Sequence, residues 1–165
     1  MSLLQTIKQR FSKKEQDPRL GTAWITEVRP IYSDRAGSTN KRIWVTKEFL
    51  SEEVVTAVDL EHPNSSMFEQ QTAYPKNRLL TQNNVPIRFN RKGKPINYDP
   101  TFEKEGYKEG QLYHFEGLGF LGNIEGVEKV WLVTDTLVLF RTLKSESLLT
   151  YSYKELEILK PTLKQ

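Results

Sequence analysis

Cysteine is absent from this chain of 165 residues, and its absence removes several kinds of chemistry. Without a thiol there is no disulfide framework, thiolate zinc site, iron–sulfur cluster or cysteine nucleophile. A cysteine-free composition suits a reducing compartment, so we expect a cytoplasmic location. No apolar run approaches the roughly 18 residues that cross a bilayer, so we expect no transmembrane segment.

An excess of charge of one sign is also missing. The chain has 24 Lys and Arg against 21 Asp and Glu, a net charge of +3 that does not by itself indicate nucleic acid. Aromatic residues make up 11% of the chain and β-branched residues are plentiful, which is typical of a folded, strand-rich protein. The length corresponds to about one domain, and we assign residues 18–165 to a single β-rich domain.

Residues 1–17 are predicted to form an amphipathic helix with a basic face, ending where Asp17 precedes Pro18. Its apolar positions recur at helical spacing: Leu3, Leu4, Ile7 and Phe11. A helix of this kind contacts an anionic membrane surface, a partner protein or the core of its own domain. Docking on a partner or on the protein itself is the more common arrangement, and peripheral membrane contact is the alternative.

Alternating apolar residues predict a series of short antiparallel strands. The first predicted strand runs from Thr22 to about Pro30, and the others cover Arg42–Thr46, Val85–Asn90, Lys94–Tyr98, Gln111–Phe115, Lys129–Leu143 and Ser147–Tyr153. The run Lys129–Leu143 is either one long strand or two strands that turn near Thr134 and Asp135. The polar stretch between Tyr98 and Gly110 is predicted to be a loop.

Helical signals are few. Ser51–Leu60 combines a helix-like first turn with β-branched residues, and a helix is slightly favoured over a strand. Ser66 and Glu69 have the spacing of a capping box, which predicts a short helix reaching Ala73, and Lys154–Leu159 is predicted to be a last helical turn. The predicted fold class is α+β and β-dominated: an antiparallel sheet or small β-barrel with the N-terminal helix and one or two short helices.

Gly117–Gly122 spells G-x-G-x-x-G, the pattern of loops that bind the phosphates of a dinucleotide. Such a loop must be followed by a long helix, yet Gly126 and a predicted strand follow here. A glycine turn between bulged strands is therefore the favoured interpretation, and no cofactor is predicted.

His114 and Glu116 lie two residues apart on a predicted strand and could begin a metal site or an acid–base pair. A metal site requires a third ligand, and the other histidine, His62, lies in a predicted loop with nothing to bring it near. A half-exposed strand histidine is the more common case, so no catalytic or metal-binding residue is assigned.

A hairpin with Gly93 at its turn carries the most basic segment that we single out. Four cations crowd its tip: Arg88, Arg91, Lys92 and Lys94. With Phe89 and Tyr98 nearby, these cations could hold phosphates while the aromatic rings stack on bases. Alternatively, they form a solvated turn that prevents edge-to-edge pairing of sheets.

The run Val130–Arg141 (VWLVTDTLVLFR), followed by Tyr151–Leu159 (YSYKELEIL), is similar to hairpins of bacterial pleckstrin-homology-like domains. That resemblance implies a small barrel used for binding. Its motif is an ordinary hairpin, and we assign no family from it. The sequence predicts a non-enzymatic module that binds another protein. The alternative is an accessory protein that binds nucleic acid through the hairpin Arg88–Lys94.

Overall fold

Two antiparallel sheets organise the computed structural model, which describes residues 16–28, 40–116, 126–144 and 146–165. The first sheet has four strands in chain order, β1 (Ala23–Val28), β2 (Asn40–Phe49), β3 (Val54–Asp59) and β4 (Glu69–Ala73). A 3-10 helix, Ser66–Phe68, leads into β4. Each strand pairs antiparallel with the next.

Three small two-stranded hairpins connect this sheet to the second one. They comprise β5 (Thr81–Gln82) with β6 (Val85–Pro86), β7 (Arg88–Phe89) with β8 (Pro95–Asn97), and β9 (Glu103–Lys104) with β10 (Tyr107–Lys108). Two-residue strands provide few hydrogen bonds of their own. These hairpins are therefore held by side-chain and backbone contacts with the sheets.

The second sheet has five strands and carries the α-helix of the described residues on its outer face. Its elements are β11 (Leu112–Phe115), β12 (Gly126–Val133), β13 (Leu137–Thr142), β14 (Leu148–Ser152), α1 (Tyr153–Leu159) and β15 (Thr162–Lys164). The strand order is β14-β13-β12-β11-β15, so neither sheet closes into a barrel within the described ranges.

Alternation of side chains divides the apolar residues into three layers. The middle layer joins the inner faces of both sheets and contains Ala23, Ile43, Val45, Val58, Leu60, Leu80, Ile87, Phe89, Leu132, Leu137 and Leu139. The outer face of the first sheet holds Trp24, Trp44, Val55 and Ala57. The outer face of the second sheet holds Tyr113, Phe115, Val130, Val133, Val138, Phe140 and Leu156. Burying each large side chain contributes about 1.5–3 kcal/mol, so the layers hold the two sheets together.

Helix α1 begins at a capping box. Ser152 Oγ accepts a hydrogen bond from the backbone N–H of Glu155, and the Glu155 carboxylate accepts one from the backbone N–H of Ser152. Lys41 of β2 forms an ion pair with the same carboxylate, which ties the helix to the first sheet. Tyr153 Oη donates to Thr134 O at 2.6 Å and holds the other side of the helix.

The structure confirms a β-dominated, antiparallel fold and corrects several local predictions. The helix favoured over Ser51–Leu60 is wrong, because Val54–Asp59 forms β3 and its β-branched side chains pack on both faces of the sheet. The short helix predicted up to Ala73 is limited to one 3-10 turn followed by β4. The loop predicted for Tyr98–Gly110 contains the hairpin β9–β10.

Other local predictions are confirmed. Lys129–Leu143 is two strands, as its second interpretation proposed, with the turn at Thr134–Thr136. The predicted hairpin around Gly93 is present, and this glycine has a positive φ of 75°. The predicted final helical turn is α1, although the strand β15 that follows it was not foreseen. The predicted N-terminal helix over 1–17 lies almost wholly outside the described residues.

Candidate functional site

A groove of about 560 Å³ opens where the hairpin β7–β8 meets the first sheet. Its walls come from four parts of the chain: the segment before β1 (Gln16, Leu20 and Gly21), Val45 to Glu48 of β2, Val58 of β3 with Pro63 and Asn64 after it, and the hairpin itself. A volume of this size is in the range of ligand sites in proteins. Two of the cations singled out from the sequence, Arg88 and Arg91, line it.

A close approach of two backbones fixes the position of this hairpin against the sheet. The backbone N–H of Phe89 donates to Gly21 O at 2.8 Å, and Thr22 forms a β-bridge with Arg88. Gly21 has a positive φ of 83°, and a Cβ at this position would collide with the carbonyl oxygen of Phe89. Only glycine satisfies both conditions without strain, so Gly21 positions the floor of the groove.

Arg88 and Arg91 are the two predicted cations that line the groove. Arg88 is half-buried and its Nε donates to Leu20 O at 2.9 Å, which orients the guanidinium group. Arg91 is exposed at the turn. Within the described residues neither arginine forms an ion pair, so both keep donors for an external anion.

Lys92 and Lys94, the other two predicted cations, are exposed on the same turn but do not line the groove. Their backbone N–H groups donate to Asn90 Oδ1 at 2.9 and 3.0 Å, which shapes the turn through the amide of Asn90. The structure thus separates the four predicted cations into two that line the groove and two that lie outside it.

The aromatic neighbours predicted to stack on bases point elsewhere. Phe89 is only 3% exposed and belongs to the middle layer. Tyr98 is half-buried against the same layer, and its Oη donates to Glu109 Oε1 at 3.2 Å. The hairpin thus offers cations without an aromatic platform.

Charged groups at the edge of the groove are mostly paired with one another. Asp17 accepts hydrogen bonds from Arg19, which lower the pKa of this carboxyl to about 2, with a smaller contribution from Arg88. Lys47 forms an ion pair with Glu69. Glu48 is the acidic residue among those lining the groove, so the lining keeps a positive balance.

A buried carboxyl group lies apart from the groove, in the outer layer of the second sheet. Glu128 on β12 is 2% exposed, and its Oε2 has no hydrogen-bond partner in the described part of the chain. Burial raises the pKa of this carboxyl to about 7. Tyr113 lies opposite it on β11, and the pKa of Tyr151 on β14 is raised, mainly by burial and also by the charge of Glu128. Within the described residues Glu128 forms no ion pair, and burial is the cause of its raised pKa.

His114 and Glu116 do not assemble into a site within the described residues. His114 lies on β11 between Val127 and Thr162, and Glu116 follows that strand as an exposed residue. The other histidine, His62, lies after β3 on the other sheet, stacked on Phe68 at 4.2 Å. No group of three potential metal ligands occurs in the ranges that the structure describes.

Two predicted features lie outside the described residues: the apolar positions Leu3, Leu4, Ile7 and Phe11, and the glycine motif Gly117–Gly122. Among the residues that are described, no helix has the length and apolar character required to traverse a bilayer.

Comparison with known proteins gives no relative. The chain matches no family model, and neither a curated protein sequence nor a solved structure is significantly similar to it. The resemblance to pleckstrin-homology-like hairpins is therefore not supported by a family match.

Sequence reasoning missed Glu128 and most of the groove wall. The signal for Glu128 was present, because an acidic residue two positions before Val130 shares the inward face of an alternating strand. The groove wall combines segments that are far apart in the chain, such as Gln16 and Pro63, and no sequence pattern indicates their proximity.

Proposed function

We propose that this protein is a binding module that holds an acidic segment of a partner protein in the groove beside hairpin β7–β8. The observation that carries the proposal is the pair Arg88 and Arg91, which line one groove and form no ion pair within the described residues. A guanidinium group presents a planar set of donors that matches a carboxylate. Two such groups in one groove favour an anionic ligand with more than one negative group.

The apolar lining supports a polypeptide ligand in particular. Leu20 and Pro63 line the groove, and Ile96 on β8 does so while remaining 56% exposed. A large exposed aliphatic side chain beside two arginines without an ion-pair partner in the described residues suits a segment in which acidic and apolar residues alternate. Successive side chains of an extended peptide point to opposite sides, so alternate side chains can contact the same groove.

Nucleic acid is the alternative that the charge of the hairpin favours. Proteins that bind single strands combine cations with aromatic rings on which bases stack. Phe89 and Tyr98 both pack into the middle layer, so the stacking half of that interface is lacking at this hairpin. For this reason we favour an acidic protein segment over an oligonucleotide as the ligand.

Arg91→Gln tests the proposal, with Lys92→Gln as a matched control. Both substitutions remove one exposed positive charge from the same turn, but only Arg91 lines the groove. The probe is a fluorescent peptide of alternating Glu and Leu, measured by anisotropy over a series of salt concentrations. Because hydrogen bonds to charged groups contribute about 1.5–3 kcal/mol, we expect Arg91→Gln to weaken binding at least about tenfold. Lys92→Gln should weaken binding much less.

Equal losses for the two variants would show that only the overall charge matters and would contradict the groove. Tighter, strongly salt-dependent binding of a single-stranded oligonucleotide than of the peptide would favour the nucleic-acid alternative. Circular dichroism of each variant checks that the fold is retained.

A further inference from the structure

Three cations occupy a single cross-strand row of the five-stranded sheet. Arg141 on β13 lies opposite Lys129 on β12. Lys129 in turn lies opposite Leu112 on β11, and Leu112 lies opposite Lys164 on β15. Residues opposite each other in register point to the same face, and neighbouring strands are about 4.8 Å apart. The row Arg141–Lys129–Lys164, which we call the cationic row, therefore extends over about 14 Å.

Two of the three cations in the cationic row lack an ion-pair partner in the described residues, whereas acidic groups lie near the third, Arg141. Lys129 and Lys164 are exposed, and within the described residues neither forms an ion pair. Arg141 is half-buried and donates to the backbone oxygen of Glu146 at 3.1 Å. Burial lowers its pKa, and the charges of Glu61 and Glu146 act against that effect. Like charges directly opposite each other destabilise a sheet, so an anion lying across Lys129 and Arg141 would relieve a repulsion built into the fold.

The loop after β3 connects this row to the groove. Leu148 lies opposite Arg141 on β14, and its backbone N–H donates to Glu61 Oε1 at 2.7 Å. Pro63, two residues beyond Glu61, lines the groove. An extended peptide advances about 3.3 Å per residue, so a few residues cover the step from the groove to Arg141.

We propose that the cationic row is a second contact for the acidic segment, which leaves the groove and crosses the second sheet. The inference rests on the proposed function and extends the binding site to Lys129 and Lys164. Trp131 lies between Arg141 and Phe89, so its ring is not free to stack on bases. An acidic polypeptide is therefore preferred to a nucleic acid here as well.

The test compares two peptides of alternating Glu and Leu. One has about five residues and is limited to the groove, while the other has about fifteen residues and reaches past the row at about 3.3 Å per residue. The double variant Lys129→Gln/Lys164→Gln should bind the long peptide about fivefold more weakly, which corresponds to two exposed ion pairs, and should bind the short peptide unchanged. Arg91→Gln should weaken both peptides.

The matched control is Lys76→Gln/Lys154→Gln, which removes two exposed charges that belong to neither the groove nor the row. Equal affinity of the double row variant and the wild type for the long peptide would overturn the cationic row, and the groove would stand if Arg91→Gln still weakened binding. A loss as large in the control as in the row variant would also overturn it. If the affinity for the long peptide depends on Lys129 and Lys164 but not on Arg91, the proposed groove site is overturned and the cationic row stands. Tighter binding of a single-stranded oligonucleotide, lost in the row variant, would overturn the assignment to a polypeptide.

Discussion

Replacing Glu128 with glutamine should remove a large pH dependence of stability. This carboxyl is 2% exposed, and its pKa is raised from 4.5 to about 7 by burial. Because the folded protein binds the proton more tightly than the unfolded chain, the free energy of unfolding falls as pH rises. The fall begins near the unfolded pKa of 4.5 and is complete somewhat above pH 7.

The magnitude follows from the two pKa values. One pKa unit corresponds to about 1.4 kcal/mol, so the rise from 4.5 to about 7 is equivalent to about 3 kcal/mol of lost stability. The cause is the cost of an unpaired negative charge among Tyr113, Tyr151 and the neighbouring apolar side chains. A neutral amide does not ionise. In Glu128→Gln, position 128 should therefore contribute equally to the free energy of unfolding at pH 5 and at pH 8.

Urea unfolding followed by tryptophan fluorescence measures both proteins between pH 5 and pH 8.5. The difference between wild type and Glu128→Gln isolates this carboxyl, since every other group titrates in both proteins. Glu157→Gln, which removes an exposed carboxyl from α1, is the control and should follow the wild type. If the wild type and Glu128→Gln change in parallel over this range, the carboxyl is not buried as the structure has it.

Three further substitutions test contacts that position the elements. Asp135→Ala removes the acceptor for Thr81 Oγ1 and for the backbone N–H groups of the turn β5–β6. The free energy of unfolding, measured with urea, should fall by about 3 kcal/mol. An unchanged unfolding midpoint would contradict this expectation. Gly21→Ala should cost at least about 2 kcal/mol, because φ is positive and the added Cβ meets Phe89, and a neutral effect on thermal unfolding would argue against that approach. Tyr153→Phe removes the hydrogen bond to Thr134 O and should lower stability by about 1 kcal/mol, measured in the same way, whereas a stabilised variant would be unexpected.

Period-two alternation predicted β11, because one face of that strand is more deeply buried than the other. In β11 the buried Tyr113 and Phe115 alternate with half-buried residues, which is the pattern that the sequence displayed. In β3 the signal was weaker, because five successive residues after Val54 are buried and no alternation marks a strand. The acidic pair before Val54 then resembled the first turn of a helix, whereas Ser51 Oγ in fact accepts the backbone N–H of Val54 to close a turn.

The sequence indicates cations that lie close together in one hairpin, but it does not indicate which distant strands bring cations together. Arg88 and Arg91 are close in sequence, so their hairpin was identified before the fold was known. The cationic row depends on the strand order β13-β12-β11-β15, in which Lys164 reaches β11 after α1. Register between distant strands is a tertiary property, and no local pattern in the sequence carries it.

Two sets of contacts fix the backbone around the proposed binding groove. On one side, Gly21 and Phe89 bring the hairpin backbone against the first sheet. On the other, Gln82 donates to Val133 O at 2.7 Å and accepts from the backbone N–H of Asp99, which fastens the connecting hairpins to the second sheet. A site whose backbone is already fixed loses little conformational entropy when a ligand binds. The cations that line the groove can therefore contribute most of their interaction energy to the affinity for a ligand. Lys92 does not line the groove. Replacing Arg91 with glutamine should therefore weaken binding more than replacing Lys92 with glutamine.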